Sequence, residues 1–93
     1  MTVRCKYKVD SIERIMSSKI KIKLDGSYGA YVPAEMRTVK MSPVYGNGDP
    51  NHENTKLWTA SPSGRFELGT INLDAAEQFE LGKEYYIDIT PAR

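Results

Sequence analysis

Apolar and polar residues alternate strictly at the start of the chain. Val3, Cys5, Tyr7 and Val9 share one parity, and Arg4, Lys6 and Lys8 the other. A period of two is the mark of a half-buried strand. Ile12 falls on the wrong parity, so a bulge or bend near Asp10-Ser11 is predicted to return it to the core. Met16-Ser17-Ser18 reads as a turn. Lys19 to Leu24 repeats the alternation, with Ile20, Ile22 and Leu24 inward and Lys19, Lys21 and Lys23 outward. Asp25-Gly26-Ser27 is a turn, because glycine supplies the positive φ that tight turns need. Residues 27–34 read as a loop or a short edge strand carrying Tyr28 and Tyr31. A third strand is predicted from about Glu35 to Met41, with Val39 and Met41 inward, ending at Pro43, which has no N–H for a ladder.

The last third gives the densest set of signals. Ala60-Ser61-Pro62-Ser63-Gly64 is a turn and Arg65 to Ile71 a strand. Asn72 is a good helix N-cap, Leu73, Ala76 and Phe79 share one helical face, and Gly82 suits the position just past a helix end. The helix is therefore predicted over Asn72–Gly82. Lys83 to Thr90 is the final strand, with Tyr85, Ile87 and Ile89 on one face and Glu84, Tyr86 and Asp88 on the other. Short strands with one small helix before the last predict a mainly β protein: a single domain over residues 1–93, closed as an OB-like or SH3-like barrel. A barrel removes the sheet edges that so short a chain protects with difficulty.

Charge adds an asymmetry to this picture. Residues 1–40 carry nine Lys/Arg against four acids, and residues 41–93 carry four against eight, within a net charge of +1. The two halves are expected to present surfaces of opposite sign. A single cysteine, Cys5, excludes an internal disulfide and favours a reducing compartment. No apolar run approaches the roughly 18 residues of a membrane span. A cytoplasmic protein with no membrane contact is expected.

Catalytic chemistry finds no foothold. Ser61 and Ser63 lie outside a G-x-S-x-G elbow, and a strand rather than a helix follows them. His52-Glu53 lacks the second histidine of a zinc-protease motif. Asp49, Asn51 and Glu53 alternate like calcium ligands, but the turn glycine and the closing acid are missing. The expectation is no enzyme activity, no metal and no cofactor. The polar stretch Gly46–Lys56, eleven residues long, is the candidate recognition loop. Its Asp49, His52, Glu53 and Asn54, with Trp58 and the outward-facing Tyr86, form the candidate partner-binding set. If the first two strands are neighbours, Arg4, Lys6, Lys8 and Lys19, Lys21, Lys23 make two parallel combs of cations, a candidate site for nucleic acid or an acidic partner. Lysine combs are also ordinary solvated strand faces and guards against edge pairing.

The run Pro43-Val44-Tyr45, Asp49-Pro50, Glu53-Asn54, Trp58, Ala60-Ser61-Pro62-Ser63-Gly64, Leu68-Gly69, Asn72, Ala75-Ala76, Gln78-Phe79 and Gly82-Lys83-Glu84-Tyr85-Tyr86-Ile87-Asp88 resembles a family of small proteins common in tailed-bacteriophage and prophage genomes. The resemblance covers about residues 39–91. It implies a phage or prophage origin and an accessory role in the host-cell cytoplasm, and carries over no catalytic or binding residue. Together these readings point to a non-catalytic accessory protein that binds a host protein or nucleoprotein complex. The expected mechanism is steric and electrostatic occlusion, as in an inhibitor of an antiphage defence component. A single-stranded nucleic-acid-binding barrel in phage DNA metabolism and a minor virion component are the alternatives. An uncovered edge strand would allow a homodimer.

Overall fold

A computed structural model describes residues 2–22 and 25–92. Four strands and two short helices follow in the order β1 (Val3–Ile22), β2 (Tyr28–Pro43), α1 (Glu53–Trp58), β3 (Phe66–Thr70), α2 (Leu73–Ala76) and β4 (Glu84–Ile89). The strands form one antiparallel sheet in the order β3-β2-β1-β4.

The two regions expected to be separate strands before Asp25 are one strand. No turn forms at Met16-Ser17-Ser18. Nothing there supplies a positive φ, and Ser17 and Ser18 lie opposite the small residues Ala34 and Pro33 in the ladder. The chain reverses only where Gly26 adopts φ +85° and the Asp25 carboxylate accepts from the Ser27 N–H and hydroxyl. The expected bulge is present. The β1–β2 register shifts between Val9 and Ser11, and Ile12 rejoins the core side. A second shift falls between Ile20 and Ile22. The readings of Lys23 and Leu24 lie outside the described residues.

The sheet is open, not a closed barrel. β4 covers only Val3–Lys8 of β1, and β3 covers only Arg37–Met41 of β2. Closure would need β3 and β4 to meet, yet they are held on opposite sides of the β1–β2 pair. The rest of that pair, about residues 13–22 and 28–36, runs on alone as a two-stranded arm. The shape follows: the principal extents are 54 × 32 × 18 Å and the radius of gyration is 17.4 Å. A compact chain of this length would have about 12 Å.

The core is correspondingly small. Cys5, Tyr7, Val9, Val39 and Met41 are buried, and Ile12, Trp58, Phe66, Phe79, Tyr85 and Ile87 close around them. Their parities are those of the sequence reading. α2 is a single turn, shorter than predicted. Asn72 caps it as expected, accepting from Ala75 N–H. Beyond Ala76 the backbone turns tighter, with Gln78 N–H bonded to Ala75 O and Phe79 N–H to Ala76 O. The Tyr85 hydroxyl then takes the Glu80 N–H and donates to Gln78 O. Bringing Phe79 to 5.4 Å from Tyr85 wins over a longer helix. Among the described residues no helix is long and apolar enough to cross a membrane.

Candidate interaction surface

The loop region is built around Asn54. β2 leaves β1 at Val44, whose N–H bonds to Lys6 O. From there down, β1 would have a bare edge. Asn54, 0% exposed, covers it: its Oδ1 accepts from Lys6 N–H at 2.7 Å, and its Nδ2 donates to Lys6 O and Val44 O. The side-chain amide acts as one more peptide unit of the ladder. A buried side chain so engaged offers a partner no surface, so Asn54 leaves the contact set. Part of the expected loop is helix α1, which His52 caps through Nδ1 accepting from Asn54 N–H. Asp49 closes an Asx turn onto Asn51 N–H. Trp58 lies against Tyr7, with ring centroids 6.3 Å apart, and its indole N–H donates to Ser63 O. These residues shape the loop and anchor it. Asp49 stays exposed, while His52 and Trp58 are half-buried.

Tyr86 is exposed as predicted and is the centre of a charged cluster. Its ring is flanked by the Arg4 guanidinium at 4.8 Å and Lys6 Nζ at 5.4 Å. Arg4 forms a bidentate pair with Asp88 at 2.7 and 3.0 Å, and Lys6 lies 3.9 Å from Glu84. The Arg4 hydrogen bond holds the Asp88 carboxyl below its ordinary range. Glu53 is held down by its own backbone N–H first, then by the Tyr86 hydroxyl and the Lys6 charge. Beside this cluster a shallow groove of about 570 Å³ is lined by Val3, Arg4, Glu53, Lys56 and Leu57.

The two cationic combs are not parallel neighbours. Lys8 and Lys19 stand eleven residues apart on one strand, about 35 Å at strand rise. Arg4 and Lys6 are matched by acids of β4, and Lys40 by Glu13 and Glu67. The two oppositely charged halves of the sequence therefore interleave in the body instead of forming two faces. Lys19 and Lys21 make no ion pair among the described residues.

Alternation alone did not reveal the arm as a surface. Met16 is 73% exposed, Tyr28 74% and Tyr31 69%, and Ile15 and Ile20 are also open to solvent. Ile20 was expected inward, and the pattern is right, but no second layer reaches that far. One ion network stiffens the arm's base: Glu35 accepts from Arg14 at 2.6 Å and from Arg37 at 3.1 Å. Tyr28 and Tyr31, expected on a loop or a short edge strand, lie on the long strand β2 of the hairpin. Among the described residues no three His, Cys, Asp or Glu side chains come together to hold a metal ion. No protein-family description, curated protein or solved structure matches the chain.

Proposed function

We propose that this is a non-catalytic phage or prophage accessory protein that binds a host-cell protein through its hairpin arm and blocks it by occlusion. One observation carries the reading. Five large apolar side chains (Ile15, Met16, Ile20, Tyr28 and Tyr31) are exposed on an arm that lies beyond the core. Such side chains contribute nothing to a core they cannot reach. Tyrosine and methionine are the residue types enriched at the centres of protein interfaces. The arm offers them on a lever that can enter a cleft, while the body, with the Tyr86 cluster at its far end, supplies bulk. An antiphage defence component in the host cytoplasm is the target class that the sequence resemblance favours.

A second reading has its own support. Across the hairpin Ile20 lies opposite Tyr31 and Ile22 opposite Tyr28, so Lys19 and Lys21 share the end of the arm with two exposed aromatic rings, a combination that suits unpaired bases. The arm also carries acids, Glu13, Asp25 and Glu35, so its charge is nearly balanced, which favours the protein partner.

The test is affinity capture from host lysate, with and without nuclease, comparing the wild-type chain with a Met16→Ser/Tyr28→Ser/Tyr31→Ser variant. One host protein retained at fixed stoichiometry after nuclease, and lost with the variant, is the expected result. Capture abolished by nuclease and by Lys19→Ala/Lys21→Ala would replace the protein partner with nucleic acid. Capture indifferent to every arm substitution would overturn both readings.

A further inference from the structure

Beyond the partner-binding reading, the arm has an edge as well as faces. From Ser11 onward no strand pairs with the outer side of β1 among the described residues. β4 stops there: Val9 N–H bonds to Lys83 O and Gly82 N–H to Val9 O, and the chain then turns away. The opposite edge of the arm, along β2, is spoiled. Even-numbered residues of β2 face β1, as Val44 N–H to Lys6 O shows, so the N–H that Pro33 lacks belongs to the outer side. Proline there blocks further pairing. The β1 edge holds no proline and no glycine between Ser11 and Ile22.

We propose that two copies of this chain pair antiparallel through their free β1 edges, about a two-fold axis at Met16. Length and side chains both support this register. The free edge runs from Ser11 to the tip, so an antiparallel copy must centre near residues 16–17 for the two edges to cover each other. In that arrangement the tip of one arm stops where the other copy's β4 begins. Centred on Met16, Ile12 faces Ile20 of the second copy, Met16 faces Met16, and Arg14 faces Ser18. On the other side of the sheet Glu13 faces Lys19. On the face of Met16 apolar residues meet apolar ones; on the other face Ile15 meets Ser17, and each charge from Ser11 to Lys21 meets its opposite or a serine. Shifting the axis to Ser17 puts Lys19 against Ile15 and Arg14 against Ile20. Backbone polarity agrees. The bulge after Val9 leaves the even-numbered residues of β1 facing outward, and the Met16 axis pairs even with even, as hydrogen-bonded antiparallel partners require.

The physical gain is clear. A lone two-stranded ribbon is marginal in water. Pairing turns two ribbons into one four-stranded slab with a proline-blocked strand on each outside. Tyr28 and Tyr31 remain on the outer strands, available to the partner proposed above.

The experiment is sedimentation equilibrium of the full chain over a concentration series, with Lys19→Glu and Glu13→Lys/Lys19→Glu variants. The wild type is expected to be a dimer. Lys19→Glu replaces two attractive cross-strand pairs by two repulsive ones and should weaken the dimer roughly tenfold; the double variant should restore much of that loss. Met16→Cys keeps the test independent of the charge variants. Opposed residues in a hydrogen-bonded pair lie about 5.5 Å apart, within disulfide reach, and native Cys5 is buried. Oxidation with copper-phenanthroline should link the two copies. A wild type monomeric at every concentration, or a dimer that Lys19→Glu leaves intact and Met16→Cys fails to cross-link, would overturn the proposal. A monomer that still captures a host protein would remove the dimer alone; a dimer that captures nothing would remove the host partner alone.

Discussion

At the scale of single residues, Asn54 carries the most structural weight for its size. It satisfies one backbone N–H and two carbonyls where β2 departs. Asn54→Ala would leave Lys6 N–H and Val44 O without the amide, while Lys6 O keeps its bond from Val44 N–H. At about 1–3 kcal/mol for each unsatisfied group, partly relieved by water, a loss of roughly 2–4 kcal/mol is expected in urea denaturation. Asn54→Asp should be no milder, since a carboxylate would face two carbonyl oxygens. Tyr85→Phe removes a hydroxyl that serves Glu80 N–H and Gln78 O near the surface, and about 1 kcal/mol is expected there. Cys5 makes a different kind of prediction. Burial pushes its thiol up, so it should resist alkylation at neutral pH until the protein unfolds, which a mass-shift assay against denaturant would read.

Among the elements, the arm and the body should separate energetically. Among the described residues the body holds all the buried apolar side chains of the sheet, whereas the arm has hydrogen bonds and exposed apolar groups. Hydrogen exchange should therefore be slow at Tyr7, Val9, Val39 and Met41 and much faster beyond Glu13 and before Arg37. Replacing residues 14–37 by Asn-Gly, a two-residue hairpin turn, should leave a folded body and abolish capture. The arm's base should respond to acid. Hydrogen bonding by Arg14 first, with Arg37 also contributing, lowers the Glu35 carboxyl below its ordinary 4.5. A depressed carboxylate contributes stability above its unfolded value and loses it as pH falls through its folded value. Protection of the arm amides, taken relative to the intrinsic exchange rate at each pH, should accordingly fall below about pH 4.5, and Glu35→Gln should remove that step. The effect is small and salt-sensitive because the pair lies near the surface.

The whole molecule behaves differently from either half of its sequence. In the body acids of β3 and β4 pair with Arg4, Lys6 and Lys40, while on the arm Lys19, Lys21 and Asp25 make no ion pair among the described residues. Capture through apolar arm contacts should then change little with added salt, whereas binding to phosphates would fall steeply. A titration from low to high salt separates the two with the same wild-type protein.

Much of this was legible in one dimension. Alternation at residues 3–9 and 84–89, the bulge before Ile12, the Gly26 turn, the Asn72 cap and the end of β2 at Pro43 all follow from local sterics and hydrogen bonding, which act over a few residues. The core residues followed for the same reason, since period-two burial needs no knowledge of the partner strand. What lay beyond the sequence was non-local. Whether Ser17-Ser18 turns or runs straight depends on the strand opposite, and Ala34 and Pro33 accept it. Whether the sheet closes depends on where β3 and β4 find edges, and β1 and β2 each paired with them for only five or six residues. Asn54 reads as a loop residue until Lys6, forty-eight positions away, is placed beside it. The apolar alternation of the arm was correctly seen, but alternation says only that a face is apolar. Tertiary structure decides whether anything in the chain is long enough to cover it, and here the described chain leaves it open.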